Sequence, residues 1–119
     1  MREIKFRGRS LYDEKQWVYG LVFKSGSEGQ WTEIQTANGA TCYVDPETIG
    51  QYTGIKDSNG VEIYEGDIVE VTLPESRHAE IGAVKWNDKY LLWELHSVGE
   101  SLGAVINSHY NVEVIAKVY

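Results

Sequence analysis

The sequence predicts an all-β protein, because its hydrophobic residues repeat with a period of two and its composition favours strands over helices. The 119-residue chain has 12 Val and 9 Ile (21 together) against 7 Leu and 6 Ala (13 together), with 12 Gly as turn residues. β-Branched side chains pack well on a pleated sheet, and glycine is common where strands end. Helical periodicity is absent from every stretch of ten or more residues, so we expect about 9–10 short strands curled into barrels.

The first half of the chain predicts two β-hairpins. The first hairpin has strands over 4–7 and 17–23, and the aromatic side of the second strand is expected to be buried. The second hairpin has strands over 31–36 and 40–44. The Asn38-Gly39 pair between them is typical of a type I′ turn.

A single helical turn is predicted where the first half ends. Asp45 supplies an acceptor for a helix cap, and Pro46 suits the first helical position. Gly50 follows too soon for a longer helix. We therefore expect a corner here.

The second half of the chain predicts five further strands, separated by turn residues. They lie over 61–64, 67–73, 80–86, 90–95 and 112–118. Residues 97–111 lack clean periodicity and fit either a long loop or a short helical turn. Five curved antiparallel strands in about 70 residues are typical of an SH3-like or OB-like small barrel. We expect an N-terminal β-hairpin subdomain (1–50) packed on a C-terminal SH3-like small barrel (51–119).

The charge of the chain is negative and unevenly distributed. The formal net charge is −7, but residues 1–9 carry +3, so the remainder carries −10. An acidic field repels phosphate backbones, which disfavours binding to nucleic acid. No apolar run approaches the roughly 18–20 residues of a membrane helix. The first residues lack a hydrophobic signal core, so we expect a cytoplasmic protein with no membrane partner.

The central run of the chain, VDPETIGQYTGIKDSNGVEIYEGDIV over 44–69, resembles the signature of the YopX family of phage and prophage proteins. The two ends, REIKFR over 2–7 and EVIAKVY over 113–119, are similar to the ends of that family, although Ala116-Lys117 stands where the family usually has Gly-Asn. The signature residues are Asp45, Gly50, Gln51, Tyr52, Thr53, Gly54, Asp57, Gly60, Ile63, Tyr64, Glu65, Gly66 and Asp67. The resemblance implies a small, mostly β protein of the bacterial cytoplasm, encoded by a bacteriophage or prophage, in a family without an established biochemical activity.

The signature also has a physical interpretation as architecture. Its glycines recur where the chain reverses and backbone conformation favours glycine. Asp57 and Asp67 are placed to accept hydrogen bonds from nearby backbone N–H groups. The alternative is a cation site formed by Glu62, Glu65 and Asp67, which lacks the ligand spacing of a calcium loop.

Residues that would carry catalysis do not form a recognisable motif. Cys42 lies in a strand-like run and is expected to be a buried apolar residue, although its spacing does not rule out a catalytic pair with a histidine. His78, His96 and His109 are too widely separated for a zinc motif. Neither a nucleophile elbow nor a phosphate-binding glycine loop is present. We therefore expect no catalytic, cofactor or metal residues, and a protein that is not an enzyme.

Three functional hypotheses follow from these residues and charges. The first is a non-catalytic interaction module, either a homo-oligomer or an adaptor to a host or phage protein, using exposed strand edges and aromatics such as Trp93 or Tyr110. The second is a nucleic-acid-associated small barrel. Its basic arm comprises Arg2, Lys5, Arg7 and Arg9. The third is an acidic decoy that engages a host DNA-binding protein.

Overall fold

Eleven strands and one short α-helix make up the described part of the computed structural model, which comprises residues 3–13, 15–72, 78–96, 100–107 and 110–117. The prediction of a mostly β protein is confirmed. The strands are β1 (Phe6–Arg9), β2 (Trp17–Ser25), β3 (Trp31–Gln35), β4 (Thr41–Tyr43), β5 (Gly50–Lys56), β6 (Glu62–Tyr64), β7 (Asp67–Thr72), β8 (Ala79–Asn87), β9 (Leu92–His96), β10 (Glu100–Ser101) and β11 (Asn111–Lys117). The helix α1 is Leu102–Asn107. No helix in these ranges is both long and apolar enough to cross a bilayer.

The chain divides between Tyr52 and Thr53 into two units, which we call the first and the second unit. In the first unit the antiparallel strands follow the order β4-β3-β2-β1-β5. Strand β5 continues past the division, and β6 is its next neighbour in the strand order. The predicted subdomains, 1–50 and 51–119, and the SH3-like form of the second remain predictions.

The sheet of the first unit curls until β4 meets the continuation of β1. Ser10 and Val44 form an antiparallel bridge. Leu11 N–H donates to the Tyr43 carbonyl at 3.0 Å, and Asp45 N–H donates to the Arg9 carbonyl at 2.9 Å. Strands β1 to β4 therefore close around a narrow interior.

The predicted burial of the aromatic side of β2 is wrong. Val18 is buried with Ile34 and Val44 in the core of the first unit, whereas Leu21 and Phe23 are 55% and 39% exposed. The interior of a closed four-stranded sheet is small, so compact branched side chains fill it. The larger residues of β2, which alternate with those side chains, then lie on the outer face.

The turn between β3 and β4 also differs from the prediction. Gly39 has a φ of 90°, but Asn38 does not adopt the positive φ that a type I′ turn requires. Gly39 N–H donates to the Thr36 carbonyl at 2.9 Å, and Thr36 N–H donates to the Ala40 carbonyl at 2.8 Å. This pattern is a type I turn followed by a glycine bulge.

The single helical turn predicted at Asp45-Pro46 is confirmed. Residues Pro46–Thr48 form a 3₁₀ turn, and the Asp45 side chain accepts a hydrogen bond from Glu47 N–H at 3.0 Å. The cap satisfies a backbone donor that has no partner within so short a helix.

The second unit contains a five-stranded antiparallel sheet in the order β10-β9-β8-β7-β11. One face of this sheet and helix α1 enclose a hydrophobic core. Its buried members are Ile63, Val69, Val71, Val84, Trp93, Leu95, Leu102, Val105 and Val112. Within 97–111, where the sequence predicts a loop or a helical turn, β10 and the six-residue α1 are present, while 97–99 and 108–109 lie outside the described residues.

Gly20 is the position where the first unit tolerates a side chain least. A Cβ there would collide with the backbone carbonyl of Gln35 on the paired strand. We expect Gly20→Ala to lower the free energy of unfolding by about 1–3 kcal/mol, because backbone cannot yield as a side-chain end does. Chemical denaturation monitored by circular dichroism measures this change.

Gly103→Ala is the matched control for that substitution. Gly103 lies in α1, and an added Cβ would meet nothing within 4 Å. Because alanine is the better helix former, we expect a gain of about 0.5–1 kcal/mol. Equal effects of the two substitutions would show that the β2–β3 approach does not constrain the fold.

Candidate interaction site

The signature residues lie mainly in buried positions. Seven of them are buried, namely Gly50, Tyr52, Thr53, Asp57, Ile63, Tyr64 and Asp67. Four are half-buried, namely Asp45, Gln51, Glu65 and Gly66. Gly54 and Gly60 are exposed, and both have positive φ angles, 84° and 82°, that favour glycine.

Asp57 connects the turn after β5 to strand β11, more than fifty residues later in the chain. Its Oδ1 accepts hydrogen bonds from Asn59 N–H at 2.9 Å and Val61 N–H at 2.8 Å. Its Oδ2 accepts one from Val114 N–H at 3.0 Å. Ser58 adds two more bonds, from its N–H to the Val112 carbonyl and from Val112 N–H to its Oγ. The Asp57 carboxylate therefore holds together the backbone of the turn and of β11.

The other buried polar residues of the signature make similar bonds. Asp67 Oδ2 accepts a hydrogen bond from Tyr64 N–H at 2.8 Å, and Thr53 Oγ1 donates to the Ile63 carbonyl at 2.7 Å. The expected bonding of Asp57 and Asp67 to backbone N–H groups is present. Within the described ranges, no group of three or more His, Cys, Asp or Glu side chains is placed to hold a metal ion.

The residues of the proposed basic arm lie in and beside a strand. Residues Phe6–Arg9 are strand β1, with β2 on one side and β5 on the other. Arg7 is only 1% exposed, and its guanidinium lies 4.6 Å from the centre of the Trp17 ring. Arg9 lies over the same ring at 5.2 Å, and Lys5 over the Tyr52 ring at 5.4 Å. Arg2 and His109 lie outside the described residues.

Of the two aromatics expected to take part in binding, Trp93 is buried and Tyr110 is half-buried. Trp93 is 8% exposed and packs edge-on against Trp86, its partner across the β8–β9 pair, with ring centres 4.9 Å apart. Tyr110 is partly buried against the core of the second unit. Cys42 is half-buried, and its thiol is 3.6 Å from Ser10 Oγ.

Exposed aromatic side chains instead gather on the first unit, where Leu11, Tyr12, Trp31 and Tyr43 line a cleft of about 280 Å³ that we call the aromatic cleft. Leu11, Tyr12 and Trp31 are 53%, 79% and 48% exposed. The Tyr12 and Tyr43 ring centres are 6.2 Å apart with an angle of 62° between planes, and those of Trp31 and Tyr43 are 5.8 Å apart at 64°. The three rings therefore line adjacent sides of the cleft.

Strand register places two of these rings on the outer face of the sheet. Trp31 and Glu33 are two residues apart on β3 and so share a face. Glu33 is directly opposite Tyr43 on one side and Phe23 on the other. Cross-strand partners lie side by side, so a carboxylate lies among three aromatic residues.

The residues after β1 supply the other side of the aromatic cleft. Leu11 is held beside Tyr43 by its N–H bond to the Tyr43 carbonyl. Ser10 Oγ accepts hydrogen bonds from Tyr12 N–H at 3.1 Å and Asp13 N–H at 3.3 Å, which fixes the turn that carries Tyr12. The closure of the sheet therefore brings together residues that are distant in sequence.

Glu33 is 9% exposed, which is unusual for a carboxylate on the outer face of a sheet. Among the described residues, no hydrogen bond or ion pair to this carboxylate is present. The carboxylate oxygens themselves are not enclosed, so this group is open to solvent and to a ligand cation beside the rings.

A larger groove of about 630 Å³ lies elsewhere on the first unit. It is lined by Ile4, Lys5, Tyr19, Gly20, Leu21, Gln35, Thr36, Ala37 and Gly39. Backbone and small side chains form much of this lining, and its one basic side chain, Lys5, already contacts the Tyr52 ring and Glu3. The aromatic cleft therefore offers the more distinctive chemistry.

Sequence reasoning missed the aromatic cleft because it placed the aromatic side of β2 in the core and so took the outer face of the sheet for the inner one. The sequence does contain a pattern that indicates the inner face. Val18 and Val22 alternate with the aromatic residues of β2, and Ile34 on β3 and Val44 after β4 are apolar in the same way. β-Branched residues that lie side by side on neighbouring strands predict the inner face of the sheet, so the aromatic residues between them are on the outer face.

Comparisons with known proteins agree with the resemblance noted in the sequence. A family model described as YopX protein matches residues 5–119. The chain is similar to the crystal structure of protein EF1440 from Enterococcus faecalis, with a TM-score of 0.56 and 24% identity over 98% of this chain and 94% of that chain. At this identity the likeness concerns the fold alone. The chain matches none of the curated proteins.

Asp57→Ala tests the architectural role of the signature. The substitution leaves three backbone N–H groups without their acceptor, so we expect a loss of about 2–4 kcal/mol in the free energy of unfolding. Asp88→Ala, at an exposed turn residue, is the control and should change stability by no more than about 0.5 kcal/mol. Urea denaturation compares the two variants, and equal stabilities would contradict the role assigned to Asp57.

Proposed function

This chain belongs to the YopX family, and we propose that it is a non-catalytic interaction module that binds a basic protein partner. The observation that carries the proposal is the aromatic cleft, formed by large aromatic side chains left exposed on the outer face of the first unit. In keeping with the family, we propose that the protein acts in the bacterial cytoplasm during a phage or prophage programme, on a host or phage protein.

Exposed aromatic residues that converge on one cleft are typical of protein interfaces. Tyr and Trp are enriched in interface cores and among the residues that contribute most to binding energy. Trp31 and Tyr12 retain about half and more than three quarters of their surface for a partner. Leu21 and Phe23 extend the apolar surface along β2 on the same outer face.

The charge of the chain favours a basic partner. The net charge of −7 attracts positively charged proteins at long range and raises their rate of association. Glu33, the cross-strand partner of Tyr43, places a carboxylate beside the aromatic cleft. This proposal includes the acidic-decoy hypothesis, in which the basic partner is a host DNA-binding protein.

The non-catalytic part of this proposal is supported by the bonds that Asp57, Asp67 and His96 make. The carboxylates of Asp57 and Asp67 accept backbone N–H bonds, and His96 bonds the neighbouring Glu94 at the surface. These contacts give each of the three side chains a structural role. Association with nucleic acid has less support than protein binding, because Arg7 of the proposed basic arm is buried against Trp17.

Affinity capture with a variant of the aromatic cleft tests the proposed function. A tagged Tyr12→Ala/Trp31→Ala double variant is compared with the wild type and with Tyr90→Ala, which removes an exposed aromatic from the second unit. We expect wild type and Tyr90→Ala to capture the same basic protein from host extract and the double variant to lose at least tenfold of it. Capture that is unchanged by the double variant would contradict the proposal.

Self-association is the competing occupant of the aromatic cleft. Light scattering at micromolar concentration should give the 13.5 kDa monomer for wild type and for the double variant. A dimer that the double variant dissociates would assign the cleft to a second copy of this chain and would overturn the proposal of a basic partner.

A further inference from the structure

We propose that the aromatic cleft is a cage for the ammonium group of a lysine side chain on the partner, with methylated lysine as the best ligand. This inference rests on the proposed function, whose basic partner it makes more specific. It adds the chemical class that the cleft recognises, namely a compact organic cation rather than an apolar side chain.

The arrangement of the rings supports a cation of this shape. Tyr43 meets Tyr12 at 62° and Trp31 at 64°, so the three rings form adjoining walls around one cleft. A cation over an aromatic face is attracted by the ring quadrupole, and aromatic cages use several rings to bind quaternary ammonium groups. A rounded ammonium head contacts several such walls at once, whereas a planar guanidinium stacks on one.

Glu33 is the second observation that points to a cation. It shares the face of Trp31 and is the cross-strand partner of Tyr43. The residue is only 9% exposed, but its carboxylate oxygens reach solvent, and no donor to them is present among the described residues. A ligand cation held by the rings would also be attracted by this neighbouring carboxylate, which adds a Coulomb term to the cation–π contacts.

Three basic side chains of the first unit have contacts within the chain. Arg7 and Arg9 both lie over the Trp17 ring. Lys24 donates its Nζ to Thr32 Oγ1 at 2.7 Å. These three cations already have partners, and a partner protein can supply the charge that Glu33 and the rings attract.

The openness of the cleft favours a side chain over a free small cation. Leu11, Tyr12 and Trp31 each keep about half or more of their surface exposed. A free onium ion in so open a cleft keeps much of its hydration and gains little binding energy, since small-ligand sites bury most of their ligand. When the lysine is part of a peptide, the residues on either side of it can also contact the exposed Phe23 and Leu21.

Three ligands test the cage. They are a short peptide with trimethyl-lysine, the same peptide with the quaternary nitrogen replaced by carbon, and free choline. Binding is followed on the full chain by isothermal titration calorimetry, which applies equally to every variant. We expect the cationic peptide to bind roughly tenfold more tightly than its neutral isostere and more tightly than choline.

Four variants separate a cage from an apolar cleft. Trp31→Leu and Tyr43→Leu keep an apolar lining but remove a ring, and each should weaken the cationic peptide at least fivefold without weakening the neutral one equally. Glu33→Gln should weaken only the cationic peptide and reduce its dependence on salt. Trp86→Ala, in the second unit, is the control and should leave binding unchanged.

The outcomes distinguish this inference from the proposed function. Equal binding of the charged and neutral peptides would overturn the cage, while capture of a partner through the aromatic cleft would still stand. Choline binding as tightly as the peptide would overturn the assignment to a protein side chain. Cation-selective peptide binding without cleft-dependent capture would support the cage and contradict the proposed function.

Discussion

In the first unit, strand β4 returns to the end of β1, where Leu11 N–H donates to the Tyr43 carbonyl and Asp45 N–H to the Arg9 carbonyl. This closure leaves an interior that only compact side chains fill, so Val18, Ile34 and Val44 pack inside. Because strand residues alternate between faces, the aromatic residues of the same strands remain outside. The surface available for binding is thus a consequence of how the core is filled.

The central run that resembles the family signature has a different role from the surface that we propose for binding. Asp57 links a turn to β11 through backbone bonds, and Asp67 accepts a bond from Tyr64 N–H. These carboxylates supply hydrogen-bond acceptors that the backbone N–H groups would otherwise lack. A family signature of this kind reports the fold, while the aromatic cleft lies on other residues, with Tyr43 immediately before the run.

The same pattern of charges and rings occurs twice in the first unit with opposite consequences. Arg7 and Arg9 lie over Trp17 within the protein, so that their cation–π contacts are internal. At the aromatic cleft, Trp31 and Tyr43 are accompanied by the acidic Glu33. The first arrangement stabilises the fold, and the second leaves a complementary cation to be supplied by a partner.

The sequence alone was sufficient for the all-β class, the positions of most strands, the Asp45 cap and the backbone-binding roles of Asp57 and Asp67. These features depend on local periodicity and on side chains that bond their neighbours in sequence, whereas the bond from Val114 N–H to Asp57 depends on tertiary structure. Which side of β2 faces the core was decided only by tertiary structure, because period-two alternation marks two faces equally and only closure makes one interior. The aromatic cleft followed from that choice, since Leu11, Trp31 and Tyr43 meet through strand pairing between distant segments.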